Sequence, residues 1–165
     1  MSTVYIALGS NLEPRRQYMQ QAVLHMHQIG KVLNVAPLYE SEPYGFTEQP
    51  RFLNSAVCLE TDWHPLPLLN QLKQIETTVG RITRQRWGPR EIDLDIIFYD
   101  DLVLQTEHLT IPHPDYRNRC FVLQPLADIA PEFVPPDATQ SLQELARECR
   151  KTNHLTHIQS NWVAV

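Results

Sequence analysis

The segment Ile-Asp-Leu-Asp-Ile near the middle of the chain constrains the fold more than any other feature. Side chains of a β-strand alternate between two faces, so Ile92, Leu94 and Ile96 predict a strand packed on a core. Asp93 and Asp95 then share the opposite face, about 6.6 Å apart at ~3.3 Å per residue. Two like charges at roughly 6 Å repel by about 3 kcal/mol at an effective dielectric of ~20. A cation is therefore expected to offset them.

Two kinds of cation fit this face of the strand. Magnesium takes oxygen ligands and keeps several waters, and a carboxylate pair can bridge two such ions during phosphoryl transfer. Alternatively, one or both aspartates pair with arginines, and spacing alone does not separate the two interpretations. Residues 80–90, GRITRQRWGPR, supply Arg81, Arg84, Arg86 and Arg90 just before the strand. Arginine forks grip phosphate oxygens, so this segment predicts an anion site, with a solvated basic loop as the alternative.

The remaining sequence predicts two amphipathic helices and further strands. Apolar periodicity indicates one helix that begins at Pro14 and stops at a left-handed Gly30, and another over residues 65–80. Strands are predicted over residues 4–9, 31–41 and 51–62. The order β-α-β-β-α-β is the ferredoxin-like plan of an α+β fold, with an antiparallel sheet and both helices on one face. Residues 101–165 add extended segments and two helices, with a polar tail over 151–165 that is expected to fray.

Length and charge exclude several classes of protein. The chain has 165 residues, which fits a single domain over 1–165. Its formal net charge of −5 argues against a protein that coats nucleic acid or an anionic membrane. It has neither a signal-peptide core nor an apolar run of membrane-spanning length, so we expect a soluble cytoplasmic protein. Three separated cysteines, Cys58, Cys120 and Cys149, indicate reduced thiols rather than a disulfide framework or zinc site.

Several blocks of the sequence resemble one enzyme family. RWGPREIDLDII joins Gly-Pro-Arg to an Asp-aliphatic-Asp pattern through two spacer residues, and YESEPYG, QPRFLNSAV, LLNQLKQIETTVGR and LTIPHPDYRNRCFVLQPL match further family blocks. From YIALGSN to about Pro136, the chain resembles the 6-hydroxymethyl-7,8-dihydropterin pyrophosphokinases of the folate pathway. The resemblance implies a ferredoxin-like fold, ATP as co-substrate, two magnesium ions, and AMP plus the pterin diphosphate as products.

The resemblance also implies roles for individual residues. Asp93 and Asp95 match metal-binding aspartates, and Arg81 and Arg90 match catalytic loop arginines. Nucleotide-binding positions fall on Glu76, Trp87, Ile96, Thr110, His113 and Arg119. Pterin-pocket positions fall on Ser41, Pro43, Tyr44, Phe52, Asn54 and Phe121. For each aromatic residue taken alone, ordinary core packing is the alternative, and a single histidine is more often structural than catalytic.

Other features remain outside these roles. Asn11 is interpreted as a cap of the first helix, and Arg84 is given no role. Lys73, His108 and Pro114 stand where family members can have glutamine, arginine and tyrosine, all around the nucleotide.

The implied reaction is in-line attack of the pterin hydroxymethyl oxygen on the β-phosphorus of ATP. Residues 42–50 and 81–90 are predicted lids that close over the substrates. The expected partners are the two small-molecule substrates alone, with no nucleic acid and no membrane, and the chain is expected to be a monomer. Two rival functions remain: a two-metal nucleotidyltransferase, and a non-catalytic pterin- or nucleotide-binding module. A ferredoxin-like RNA-binding module is disfavoured because no strand carries its aromatic signature.

Overall fold

The computed structural model describes residues 1–45 and 47–164, which form an α+β fold. Residue 46, within the predicted lid of residues 42–50, and residue 165 lie outside that description. In the described residues, no helix combines the length and the apolar character needed to span a bilayer.

The strands are β1 (Ser2–Ser10), β2 (Lys31–Val35), β3 (Leu38–Ser41), β4 (Phe52–Thr61), β5 (Asp93–Tyr99), β6 (Leu104–Gln105), β7 (Thr110–Ile111) and β8 (Thr156–Gln159). The α-helices are α1 (Arg15–Met26), α2 (Pro65–Val79), α3 (Cys120–Ile129) and α4 (Leu142–Arg150). A short 3-10 helix, Tyr116–Asn118, precedes α3.

The main sheet confirms the predicted ferredoxin-like core. Its strand order is β5-β1-β4-β3-β8, β2 also pairs with β4, and every pairing is antiparallel. The single strand predicted over residues 31–41 is divided into β2 and β3 at Pro37, which has no N–H to donate. Both pieces still pair with β4, so the interruption does not change the order of the sheet.

Two cores lie on opposite faces of this sheet. On one face, α1 and α2 bury their predicted apolar stripes against Ile92, Leu94 and Ile96. On the other face, α3 and α4 pack over Ile97 and Phe98 at the far end of β5. Because α3 and α4 cover only part of the second face, the region around Asp93 and Asp95 remains accessible. This uncovered region holds the candidate site.

Gly30 is not the left-handed stop that its position predicts. The helix ends at Met26, with His27 in a right-handed cap, and among described residues positive φ occurs at glycine only in Gly45 and Gly80. A Cβ on Gly30 would lie 2.5 Å from the Glu60 carbonyl oxygen, so glycine is required there for close approach of the backbone. Gly80, with φ of 132°, ends α2 as predicted.

Residues 151–164, the described part of the polar tail, are ordered rather than frayed. β8 pairs with β3, and Trp162 is only 3% exposed within the core on the α1 and α2 face. The Trp162 indole N–H donates to the Ala36 carbonyl oxygen at 2.8 Å, and Gln20 Nε2 donates to the Trp162 carbonyl oxygen at 2.6 Å. One aromatic anchor therefore fixes a segment whose composition is otherwise polar, which makes the fraying prediction wrong.

Candidate active site

Asp93 and Asp95 line a cleft on the sheet face opposite α1 and α2. Their antiparallel partners on β1 are Gly9 and Ala7, two of the smallest residues, so the neighbouring strand leaves space beside both carboxylates. The cleft holds about 650 Å³ of empty space, open solvent included.

Most of the predicted site residues are brought together here: Ser41, Tyr44, Phe52, Asn54, Trp87, Arg90, Asp93, Asp95, Arg119 and Phe121. Residues that the sequence did not single out complete the lining: Ala7, Leu8, Gly9, Glu42 and Val122. The alternation of small residues in β1 was a usable signal for Ala7 and Gly9. The predicted residues outside the lining are Pro43, Glu76, Arg81, Ile96, Thr110 and His113.

Asp93 takes the arginine partners that one interpretation of the sequence predicted. Arg81 Nη1 lies 3.0 Å from Asp93 Oδ1, and Arg90 Nη1 lies 2.9 Å from Asp93 Oδ2. Arg81 Nη1 also lies 2.9 Å from Glu76 Oε1. Burial acts to raise the pKa of Asp93, but the positive charges of Arg90, Lys73 and Arg81 outweigh it and lower that pKa. Asp93 is therefore an ionised, cation-bound carboxylate.

Asp95 is different from its neighbour. Within the part of the chain that the structure describes, no ion pair or hydrogen bond reaches its carboxylate. Burial, followed by the charge of Asp93, raises the pKa of Asp95 to about 7. The charges of Lys73 and Arg119 act in the opposite direction but are outweighed, so the cleft contains one carboxylate without a direct ion-pair or hydrogen-bond partner among the described residues.

This donor set fits magnesium better than a metal held by protein alone. Across residues 1–45 and 47–164, no group of three or more His, Cys, Asp or Glu side chains could hold a metal ion. Asp93 and Asp95 supply oxygen donors only, which magnesium prefers, and the cleft leaves room for the waters and phosphate oxygens that complete its shell. The residues present therefore fit magnesium that binds together with a phosphate-bearing ligand.

Glu76 supports the acidic strand from α2. It is 4% exposed, and its Oε2 accepts a hydrogen bond from the Leu94 main-chain N–H at 2.7 Å. The Lys73 ammonium lies 3.3 Å from the same oxygen. Burial is the main reason that the pKa of Glu76 is raised. Because both carboxylate oxygens already have partners, the geometry assigns Glu76 to holding β5 and Arg81; a nucleotide contact stays a prediction.

Asn11 does not cap α1, and that prediction is wrong. The helix begins at Arg15 and its cap residue, Pro14, makes no side-chain cap bond. Asn11 is 1% exposed; its Oδ1 accepts from the Arg90 main-chain N–H at 2.8 Å, and its Nδ2 donates to Gln49 Oε1 at 2.8 Å. Asn11 therefore ties both predicted lids to the end of β1, because Arg90 and Gln49 belong to different lids.

The two predicted lids also contact each other directly. Trp87 has φ of 61°, a left-handed conformation that a bulky residue rarely adopts, and its side chain is 48% exposed. A Cβ on Gly45 would lie 2.9 Å from Trp87 Cε3, so only glycine fits against the indole. Gln49 Nε2 donates to the Trp87 carbonyl oxygen at 2.8 Å.

Arg84, to which the sequence gave no role, forms a structural ion pair. Its Nη1 lies 2.7 Å from Oε1 of Glu91, which is 5% exposed, and this bond lowers the pKa of Glu91. The neighbouring Arg86 guanidinium lies 5.0 Å from the centroid of the Trp87 ring. Neither of these two arginines lines the cleft.

The predicted pterin residues form the apolar end of the cleft. Asn54 and Ser41 are buried, and Asn54 Nδ2 donates to Ser41 Oγ at 2.8 Å. The Tyr44 and Phe121 ring centroids lie 6.1 Å apart at an interplanar angle of 58°. Phe52 lines the same end. Aromatic faces beside a buried amide suit a flat heterocycle with polar edges.

His113 is held as a neutral imidazole. Its Nδ1 accepts from the Asp115 main-chain N–H at 3.2 Å, so the hydrogen of the neutral ring resides on Nε2. Burial, followed by the charge of Arg119, lowers the pKa of His113 to about 4. At neutral pH the ring is a hydrogen-bond donor without charge.

The side chains of Ile96 and Thr110 do not line the cleft. Ile96 is 2% exposed and packs in the core on the α1 and α2 face, so only its main chain remains for a ligand. Thr110 lies in the β6–β7 ribbon opposite Gln105. Pro43 is buried beside Tyr44. Roles for these residues in ligand binding stay predictions.

The depressed pKa of His113 predicts how stability depends on pH. An unfolded histidine titrates near pH 6.5, so the fold favours the neutral ring, and its contribution is complete above that pH and lost as the pH falls toward 4. When the pH is lowered from about 7 to about 4.5, the free energy of unfolding of the wild type should fall as the ring becomes harder to keep neutral. Because the ring is half-buried, we expect this fall to be about 1–2 kcal/mol smaller in His113→Gln. Urea unfolding at each pH measures the difference.

His108 provides the control for that comparison, because its side chain is 76% exposed. His108→Gln is expected to follow the wild-type dependence of stability on pH. If His113→Gln also follows it, the account of His113 as a neutral buried ring is contradicted.

The paired carboxylates, the flanking arginines and the adjoining aromatic pocket have the chemistry suited to phosphoryl transfer to a ring-bearing substrate. Comparison with known proteins identifies the family within this class of phosphoryl-transfer proteins. Residues 5–131 match the family 7,8-dihydro-6-hydroxymethylpterin-pyrophosphokinase (HPPK). The chain belongs to this family, as its sequence motifs predicted.

Individual relatives agree with this assignment. The chain is 45% identical to the 2-amino-4-hydroxy-6-hydroxymethyldihydropteridine pyrophosphokinase of Bacillus subtilis over 139 residues. The aligned region covers 83% of each chain. It is 43% identical over 148 residues to the protein of the same name from Pseudomonas aeruginosa, with 88% of this chain and 91% of the relative covered. As a family member the chain is an ATP-dependent diphosphotransferase, and magnesium generally serves that activity.

Solved structures show the same fold at low sequence identity. Plasmodium falciparum HPPK-DHPS with pteroate has a TM-score of 0.74 and 16% identity, over 92% of this chain and 43% of the solved chain. The same protein carrying three substitutions, with STZ-DHP, gives a TM-score of 0.72. The chain spans less than half the length of these solved chains.

Proposed function

We propose that the described cleft carries out the reaction that family membership assigns to this chain, the transfer of pyrophosphate from ATP to 6-hydroxymethyl-7,8-dihydropterin in folate biosynthesis. The hydroxymethyl oxygen attacks the β-phosphorus in line, AMP leaves, and the pterin diphosphate forms. One observation carries this proposal: Asp95 lines the cleft beside Asp93 without a direct ion-pair or hydrogen-bond partner among the described residues, next to an aromatic and amide pocket.

Asp93 and Asp95 would hold two magnesium ions, which supply charge neutralisation of the phosphates and a lower pKa for the attacking hydroxyl. Both aspartates come from one rigid strand whose opposite face is buried, so their separation is fixed by the fold. No side chain is then required as a dedicated base. Arg90 lines the cleft and can also receive phosphate oxygens, because its guanidinium has donors beyond the one that binds Asp93. A phosphate contact of Arg81, which does not line the cleft, is proposed from the family resemblance alone.

The proposal divides the cleft between two substrates. Ser41, Asn54 and the aromatic residues at their end bind and orient the pterin, with buried Pro43 supporting Tyr44 from outside the lining. The nucleotide lies toward Arg119, His113 and Trp87, with Thr110 and the Ile96 main chain as further contacts. Neutral His113 would donate a hydrogen bond from Nε2, and Arg119 would contribute charge. Such positioning accounts for much of the rate in phosphoryl transfer.

Residues 42–50 and 81–90 are proposed lids that exclude water from the closed site. The contacts of Gly45 and Gln49 with Trp87 support joint movement of the described lid residues. We expect hydrogen exchange in both segments to slow when an ATP analogue, magnesium and pterin are added together. Unchanged exchange in either segment would refute the lid assignment.

We also propose that residues 1–165 act as a single domain and as a monomer in the cytoplasm, without nucleic-acid or membrane partners. The net charge of −5 supports the absence of a nucleic-acid partner. Sedimentation velocity of the purified chain tests the monomer, and a concentration-dependent dimer would refute it.

Omission of single components tests the proposed reaction. Purified chain supplied with ATP, magnesium and 6-hydroxymethyl-7,8-dihydropterin is expected to form AMP and pterin diphosphate in equal amounts. Leaving out any one component should abolish AMP. Pterin binding without turnover would favour the non-catalytic module, whereas release of pyrophosphate would favour a nucleotidyltransferase.

A further inference from the structure

Tyr44 and Arg119, which both line the cleft, donate hydrogen bonds to the same carboxylate oxygen of Asp115. The Tyr44 hydroxyl donates to Asp115 Oδ2 at 2.8 Å, and Arg119 Nε donates to the same oxygen at 3.3 Å. The Arg119 guanidinium carbon also lies 5.0 Å from the centroid of the Tyr44 ring. Asp115, which is not among the predicted site residues, therefore joins a residue of the proposed pterin lid to a residue of the proposed nucleotide edge.

Asp115 is itself held in one orientation by its neighbours. Its main-chain N–H donates to His113 Nδ1 at 3.2 Å, and its Oδ1 accepts from Asn118 Nδ2 at 2.9 Å. It directly precedes the 3-10 helix Tyr116–Asn118. Because these contacts are local, they orient the carboxylate independently of Tyr44. The entropy cost of the contact then falls mainly on the lid residue.

We propose that Asp115 is a positioning residue that latches Tyr44 over the pterin pocket and thereby couples pterin binding to nucleotide binding. This inference rests on the proposed function, because it treats Tyr44 and Arg119 as contacts of different substrates. Asp115 does not line the cleft. It acts through Tyr44, whose ring centroid lies 6.1 Å from that of Phe121, and through Arg119 and His113.

The shared oxygen provides the coupling. A nucleotide that fixes Arg119 also fixes the guanidinium that lies against the Tyr44 ring and on Asp115 Oδ2, so the surface on which Tyr44 closes becomes better ordered. Linkage requires the converse, so closure of Tyr44 over a pterin must favour the nucleotide by the same factor. The latch spans 71 positions of sequence, from the loop after β3 to the segment after β7, and no local pattern encodes it.

Tyr44→Phe tests the latch, because it removes the hydroxyl and keeps the ring. The dissociation constant of 6-hydroxymethylpterin is measured by fluorescence with and without magnesium and α,β-methylene-ATP. The nucleotide should tighten pterin binding in the wild type, and Tyr44→Phe should reduce that tightening about three- to tenfold. In turnover, the KM for pterin should rise while kcat changes less than about twofold.

Asp115→Asn should also reduce the tightening, because the weaker acceptor no longer carries charge for Arg119. Tyr44→Phe combined with Asp115→Asn should reduce it no further than the larger single change, since both substitutions remove parts of one contact.

Tyr99→Phe is the matched control. It removes a tyrosine hydroxyl that donates to the Trp63 carbonyl oxygen at 2.8 Å, at the end of β5 away from Asp93. Its pterin affinity and nucleotide dependence should equal those of the wild type. If Tyr44→Phe also equals the wild type, or if the two substitutions act independently, the latch is refuted while the proposed function stands. A wild type that binds no pterin refutes the proposed function and the latch together.

Discussion

Replacing Asp95 with asparagine is expected to lower turnover by roughly 10³-fold or more. An amide keeps the size of the side chain but carries no charge, so it holds magnesium poorly and leaves the phosphate charge without its proposed counterpart. Steady-state AMP formation measures this loss. Asp93→Asn should give a similar loss, although the interpretation is less direct because it also releases Arg81 and Arg90.

The same substitution is expected to stabilise the fold in metal-free buffer. Burial and the charge of Asp93 raise the pKa of Asp95 to about 7, so its ionised form is unfavourable in the folded state. At about pH 8 the wild type carries that charge, and Asp95→Asn should gain about 1–3 kcal/mol in free energy of unfolding. Urea denaturation with a chelator present measures the gain.

Asp101→Asn is the control for both effects, since Asp101 is exposed just beyond the same strand. It should leave turnover and stability close to wild type. Near-normal turnover in Asp95→Asn would refute the metal assignment. A loss of stability in metal-free buffer would refute the view that Asp95 is an uncompensated charge.

Trp162→Ala is expected to destabilise the protein by about 3–5 kcal/mol. The substitution empties a large core position and removes the indole donor from the Ala36 carbonyl oxygen. Because Trp162 follows β8, the loss should also release the strand that covers the edge of β3. Urea denaturation measures the change, and hydrogen exchange over 156–159 should report the released strand.

Trp63→Ala is the matched control, because Trp63 is 38% exposed. Because less of its side chain is buried, it should cost clearly less than Trp162→Ala. Equal effects of the two substitutions would contradict the tail anchored by Trp162.

The ferredoxin-like core was predictable because its signals are local. Periods of two and about 3.6 residues place apolar side chains on one face of each strand and helix, whatever the distant parts of the chain do. The alternation around Asp93 and Asp95 therefore predicted both the buried face of β5 and the acidic face of the cleft. The arginines also followed from sequence, but only the structure shows that they bind Asp93 and leave Asp95 uncompensated.

The errors concern contacts between residues far apart in sequence. Asn11 is of a residue type that often caps helices and lies shortly before α1, yet its side-chain partners are Arg90 and Gln49. Gly30 fits a helix stop, but its requirement comes from the opposing β4 backbone. Asp115 carries no motif of its own, and its importance arises from a lid residue 71 positions away. Local patterns do not specify such pairs, because tertiary packing brings them together.

The most direct test of the account follows each phosphate of ATP. The purified chain is given magnesium and 6-hydroxymethyl-7,8-dihydropterin with ATP radiolabelled at either the α- or the γ-phosphate. Attack at the β-phosphorus predicts that the γ label appears in the pterin product and the α label appears in AMP. An α label on the pterin with release of pyrophosphate, or a γ-labelled product accompanied by ADP, would contradict pyrophosphate transfer in this cleft.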